Sequence, residues 1–265
     1  MVQIRMRLII AALALLALSI PAQAGIISGA RPNPGVYHSS RPVAEAGGGG
    51  GSTCGTTISM FQSTGAFRSS AASSLVATAT TSVVAGHTIV VGIVSDADVV
   101  SSTQVTDNKG NVYRLVQSYN AASFANIGIY TSTNIGTGGS NFQVTYNRAF
   151  PGFSSLAFLE VEGLSCTGDT DGSATGTGTG STAQTSEITT TATDLIVSVT
   201  GFDDGIDVQN INPGAGFTRA YQVTDNANFL AFQMQWRVAA SGAYTPSTTF
   251  QTGTPNWFIA ATALK

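Results

Sequence analysis

Charge is scarce in this chain of 265 residues, where Asp, Glu, Lys and Arg together make up 9%. With 11 basic residues against 14 acidic ones and no Lys/Arg cluster, partners that require concentrated positive charge, nucleic acid and anionic lipid among them, are excluded. Histidine is scarcer still. His38 sits in a Pro-rich stretch and His87 in the turn-like Ala85-Gly86-His87-Thr88, and no Gly-x-Ser-x-Gly elbow accompanies the many serines. His87 therefore reads as a polar turn residue that starts a strand. Cysteine is limited to Cys54 and Cys166, a pair too poor in neighbouring histidine for a zinc site. No window holds a helical period over the roughly ten residues a helix needs. No apolar run after the first two dozen residues is long enough to span a membrane as a helix.

What is present begins with MVQIRMRLIIAALALLALSIPAQA, where Arg5 and Arg7 precede an apolar run and a small-residue site at Ala22-Gln23-Ala24. This pattern predicts a signal peptide over 1–24 and export, with a mature start near Gly25. Losing Arg5 and Arg7 leaves 9 basic and 14 acidic residues, a net charge of −5. In an oxidising compartment the even pair Cys54 and Cys166 reads as a disulfide closing a long loop. Residues 25–55, with Pro32, Pro34, Pro42 and the run Gly47 to Gly51, read as a flexible leader. From 56 to 265 short alternating or β-branched runs are separated by Gly, Asn, Asp and Pro, which predicts a single all-β domain.

That domain repeats itself. ATATTSVVAGHTIVVGIVSDAD (77–98) matches TSEITTTATDLIVSVTGFDD (185–204), which sets His87 against Asp194. ANIGIYTSTNIGTGG (125–139) lines up with FLAFQMQWRVAASG (229–242), so that Ile127, Ile129 and Thr131 fall against Phe232, Met234 and Trp236. SSLAFLEVEGL (154–164) answers NWFIAATALK (256–265). Two copies over about 72–165 and 182–265, joined by a loop-like 166–181, predict an antiparallel, jelly-roll-like β-sandwich built from two duplicated Greek-key halves. The nearly continuous apolar strands HTIVVGIV and LIVSV are expected at its centre. Trp236, on the side of Phe232 and Met234, is expected in the core.

The order of Gly86 and Thr88 before an apolar strand, then Val105 to Asp107, Gly110, Asn111 and Tyr113, then Leu159, Glu160, Gly163 and Leu164 resembles a bacterial exported β-sandwich module. Such modules occur alone or strung along large surface and adhesin-like proteins. The resemblance covers about 75–265 and implies fold and export. It brings no catalytic set with it, and its likeness to carbohydrate-binding modules is one of fold only.

Four sets of residues are the candidates for chemistry. Glu160 and Glu162, at i and i+2, would point to one face of a strand about 6–7 Å apart, near the carboxyl spacing of a retaining glycosidase. Aligned against Lys265, however, Glu160 reads as a charge at a solvent edge. Asp203, Asp204 and Asp207, and separately Asp169 and Asp171, offer hard oxygen ligands from loops, with calcium the ion they suit. No twelve-residue loop with a closing Glu follows either group. The polar side of the repeated strand, Asn126, Tyr130, Ser132, Gln233, Gln235 and Arg237, reads as a solvated sheet face that could grip a glycan. The reading overall is an exported, non-catalytic sandwich with an interaction or surface-structural role and no required cofactor. Polysaccharide or a neighbouring protein is its expected partner, and self-association through sheet edges is open. A calcium-supported carbohydrate-binding module is the alternative, and a small glycosidase using Glu160 and Glu162 a third.

Overall fold

The computed structural model describes residues 55, 57–97, 101–120, 126–150, 152–203, 211–225, 230–251 and 253–265. The expected signal peptide, all but the end of the leader, His38, Cys54, Asp98, Asp204 and Asp207 lie outside these residues, as does the side chain of Asp203. The described chain is all-β and every strand pairing is antiparallel. Among the described residues the only helix is a 3-10 turn at Ser102–Gln104, and none is long and apolar enough to cross a membrane.

Eight strands come first: β1 (Ser59–Arg68), β2 (Leu75–Thr78), β3 (Thr88–Ser95), β4 (Val105–Asp107), β5 (Arg114–Asn120), β6 (Asn126–Ser132), β7 (Gln143–Tyr146) and β8 (Ser154–Glu162). They form a five-stranded sheet in the order β1-β8-β3-β6-β5 and a three-stranded one in the order β2-β7-β4. Ten more follow: β9 (Thr170–Thr179), β10 (Thr182–Gln184), β11 (Ile188–Thr190), β12 (Asp194–Asp203), β13 (Ile211–Pro213), β14 (Thr218–Asp225), β15 (Leu230–Ala239), β16 (Gly242–Tyr244), β17 (Ser247–Phe250) and β18 (Asn256–Leu264). These give a five-stranded sheet β14-β15-β12-β18-β9, a three-stranded sheet β10-β17-β13 and the ribbon β11-β16.

The two large sheets pack face to face. Val90, Val94, Ile127, Ile129, Leu159 and Val161 of one meet Leu195, Val197, Val199, Phe232, Met234 and Phe258 of the other. Central strands β3 and β12 approach so closely that a Cβ on Gly92 would come within 2.6 Å of Val199 Cγ2, and one on Gly201 within 2.9 Å of Val94 Cγ1. Glycine at 92 and 201 is thus a packing requirement. At the sheet edges β1 lies over β14, where the Ser63 hydroxyl donates to the Ala220 carbonyl at 2.8 Å.

Each large sheet is covered on its other face as well. Ile89, Val91, Ile93, Tyr130, Leu156 and Phe158 pack under Leu75, Val105, Val144 and Tyr146 of the first small sheet. Phe202, Trp257 and Ile259 pack under Ala183, Ile211 and Phe250 of the second, and Ile196, Ala261 and Ala263 lie under Ile188. This double covering explains why β3 is apolar at nearly every position: side chains on both sides of it are buried. The sandwich therefore has an interior between the large sheets and further interiors outside them, so each half does build a core of its own.

The loop expected at 166–181 is corrected. Thr170–Thr179 is an edge strand paired with β18, and Thr182–Gln184 is a further short strand. Its inward positions are Gly172, Ala174, Gly176 and Gly178, because the covering chain runs directly over them. A Cβ at Gly176 would sit 2.0 Å from the Gln184 carbonyl oxygen, and one at Gly178 2.7 Å from the Trp257 ring. The strand alternates glycine or alanine with Ser and Thr, not apolar with polar residues, and that composition hid it.

Candidate functional site

Three polar clusters follow from this layering. The first begins with a β-bulge. Between Met60, opposite Val161, and Gln62, opposite Glu160, strand β1 carries Phe61 as an extra residue. Leu156, Phe158 and Glu160 alternate on the outer face of β8, so the carboxylate of Glu160 points where its neighbours place apolar groups. Glu160 is 1% exposed. The expectation that it marks a solvent edge is therefore wrong, and so is its alignment with Lys265. Glu160 pairs with Ile89, whereas the residue opposite Ile196 on β18 is Ala263.

A carboxyl group so deeply buried needs hydrogen-bond partners, and three reach it. Gln62 Nε2 donates to Oε2 at 2.6 Å and the Val84 backbone N–H to Oε1 at 2.8 Å. His87 Nδ1 lies 2.7 Å from Oε1 and makes the third hydrogen bond. Gln62 is held in turn, its Oε1 accepting from the amides of Thr80 and Thr81 at 3.1 Å. The Phe61 ring, 53% exposed, lies 4.3 Å from the His87 imidazole and caps it. His87 does follow the Ala85-Gly86 turn, but as a buried partner of an acid. Glu162, two residues along the same strand, is only half-buried.

The second cluster is the polar side of β6 and β15, expected to be solvated. It is covered. Tyr130, Gln233 and Gln235 are all 0% exposed, and Asn126 and Ser132 are buried as well. Gln235 accepts from the Gly214 N–H at 2.9 Å and donates to the Ser247 carbonyl at 2.8 Å. Gln233 donates to the Ile211 carbonyl at 3.1 Å and accepts from Thr248 Oγ1 at 3.3 Å. These amides fasten β13 and β17 to the large sheet. Tyr130 donates to Gln104 Oε1 at 3.2 Å under the other small sheet, and burial raises its phenol above the ordinary tyrosine range. Arg237 is half-buried, with its guanidinium 4.8 Å over the Tyr244 ring. A glycan has no access to Tyr130, Gln233 or Gln235. Across the sheet Phe232 and Met234 are core and Trp236 packs against them, half-buried, so the tryptophan side does face inward.

The third cluster lies where β12 begins and β18 ends. Asp194 opens β12, as His87 directly precedes β3, and a bulge in β9 between Thr170 and Gly172 carries Asp171 as its extra residue. Thr191 Oγ1 donates to Asp171 Oδ2 at 2.7 Å and the Thr191 N–H donates to the same oxygen. Lys265 Nζ lies 2.9 Å from Asp171 Oδ1. Together these donors hold Asp171 well below the usual carboxylate range. Asp194 is fully buried, and its carboxyl oxygens have no hydrogen-bond partner besides the Asp171 carboxyl. Burial first, and then the neighbouring Asp171 carboxyl, push it up to about 6. Beside it a cleft of ≈ 790 Å³ is lined by residues of both halves, among them Ile58, Ser165, Thr193 and Val238.

Of the calcium candidates only Asp169 and Asp171 have described side chains. Asp169 accepts from Thr167 Oγ1 at 2.7 Å, and Asp96 accepts the Phe153 N–H at 3.1 Å. Among the described residues no three His, Cys, Asp or Glu side chains converge as metal ligands. The buried Glu160–His87–Gln62 cluster was missed by sequence reasoning, although a signal existed: Glu160 shares the strand parity of Leu156 and Phe158.

Replacing Glu160 with leucine would leave the Val84 N–H, Gln62 and His87 buried without their acceptor. We expect Glu160→Leu to lower stability by about 3–5 kcal/mol in urea unfolding, and an unchanged midpoint would show the cluster to be dispensable. Asp194 holds its proton more tightly folded than unfolded, so its protonation supports the fold at low pH. That support is lost as pH rises from the unfolded carboxylate value through about 6. Asp194→Asn should therefore gain stability relative to the native protein between about pH 5 and pH 8. Urea midpoints that keep a constant difference across that range would contradict this. Comparison with known families, with curated proteins and with solved structures found no match to this chain.

Proposed function

We propose that the chain is an exported, non-catalytic β-sandwich with an interaction or surface-structural role, whose partner is an extracellular polysaccharide or a neighbouring protein. The observation that carries this reading is the fate of Glu160: its carboxylate is engaged by Gln62, Val84 and His87 and faces a covering layer, not a substrate. Gln233 and Gln235 are likewise committed to backbone groups of the layer above them. Purified protein should show no turnover of β-glucans, and should retain polysaccharide or envelope-protein fractions in pull-downs with and without calcium. Turnover that disappears in folded Glu162→Gln protein would overturn the reading.

The finer description of the fold belongs to the same proposal. We read the two halves as copies of one jelly-roll-like, Greek-key unit. The orders β1-β8-β3-β6-β5 and β9-β18-β12-β15-β14 correspond strand for strand, as do β2-β7-β4 and β10-β17-β13. Val90 faces Thr131 where Val197 faces Trp236. Bulges recur at matching places, after Met60 and Thr170 on one edge and after Leu115 and Arg219 on the other.

Export would put Cys54 and Cys166 in an oxidising compartment, and we propose that they are bridged. The Gly55 N–H donates to the Leu164 carbonyl at 3.2 Å, which brings the residue after Cys54 beside the segment leading to Cys166. Peptide mapping without reductant should recover the two cysteines in one fragment, whereas two alkylatable thiols would remove the bridge.

A further inference from the structure

We propose that Lys265 and Asp171 condense into an intramolecular amide that ties the end of β18 to β9 through their side chains. The argument rests on how four groups are arranged. Lys265 Nζ stands 2.9 Å from Asp171 Oδ1, so the carboxyl carbon one bond behind that oxygen is the nearest electrophile to the amine. The Lys265 backbone is fixed, its N–H donating to the Asp169 carbonyl at 3.0 Å and its carbonyl accepting from the Ser165 N–H at 2.6 Å. Asp171 is fixed by the bulge that re-aims it out of the ladder.

The other oxygen of Asp171, Oδ2, receives the Thr191 hydroxyl at 2.7 Å and the Thr191 N–H. Two donors on one oxygen are the arrangement that stabilises negative charge developing there when a nucleophile adds to the carbon. Asp194 supplies the third requirement, an acid. It is fully buried, and its carboxyl shares a hydrogen bond with that of Asp171, with no other partner on its oxygens. A carboxyl group in that position stays protonated where an exposed one would not.

The reaction starts from the ammonium–carboxylate pair. A proton passes from Nζ to Oδ1, giving an amine beside a carboxylic acid. The Nζ lone pair then forms the bond to Cγ, and the charge that builds on Oδ2 falls on the Thr191 donors. Asp194 gives its proton to the departing oxygen and recovers one from nitrogen. The Cγ–Oδ1 bond breaks, one water leaves, and Asp194 ends protonated as it began. Nothing is oxidised or reduced and no co-reactant is needed. Water opposes amide formation, but groups held in contact reach effective molarities of ~10⁵–10⁸ M, which offsets that opposition. Lys265 is 39% exposed and Asp171 8%, so the water produced has a way out.

The test is the mass of the full chain as purified, taken after denaturation and referred to its observed N-terminus. The protein should be one water lighter than its sequence, and protease fragments should contain a branched peptide joining Lys265 to Asp171. Lys265→Met and Asp194→Asn, each checked for β-sheet circular dichroism, should have the full mass. An unmodified native mass after prolonged incubation at about pH 6, near the value to which Asp194 is pushed, overturns the proposal. So does a water loss that maps elsewhere or persists in folded Lys265→Met.

Discussion

A strand buried on both faces has no surface to offer a ligand, and the central strands of both large sheets are in that position. The constraint comes from the close approach of β3 and β12. Once Gly92 and Gly201 let these strands meet, the inner faces of ten strands are sealed against each other. The outer faces must then be covered by the small sheets, because apolar side chains point that way as well. A polar group caught between these layers is costly unless it is paired internally. Glu160, Gln233, Gln235 and Tyr130 all meet that demand.

This layering also explains what the sequence could and could not reveal. The continuous apolar strands HTIVVGIV and LIVSV announced central positions, and the alternation around Trp236 correctly indicated its inward side. The polar side of that alternation was misread for a physical reason. Gln233 and Gln235 look the same in sequence whether water or backbone carbonyls of another layer receive their amides, and only the covering strands β13 and β17 decide between the two. Strand β9 was misread for the opposite reason. Three of its four inward residues are glycines because neighbouring groups pass too near for a side chain, and glycine is normally evidence for a loop.

The candidate site was partly legible. His87 and Asp194 were each read as opening an apolar strand, and they do, while Asp171 was noticed as an acid. What escaped was the effect of the bulges. One extra residue on an edge strand brings Phe61 against His87 in one half and Asp171 toward Asp194 in the other, and bulges leave little trace in residue pattern. One bulge thus sets an aromatic cap over a histidine–glutamate pair, and the other brings two carboxyls to a lysine.

The meeting of β3 and β12 makes volume a shared quantity between distant parts of the chain. Gly92 stands against Val199, and Val94 against Gly201, so the narrow gap holds one large and one small side chain at each level. Enlarging one member is tolerable only if its opposite shrinks. Residues more than a hundred positions apart are therefore free to change in pairs and constrained singly. In such a molecule the two halves cannot drift independently, because each carries the mould of the other.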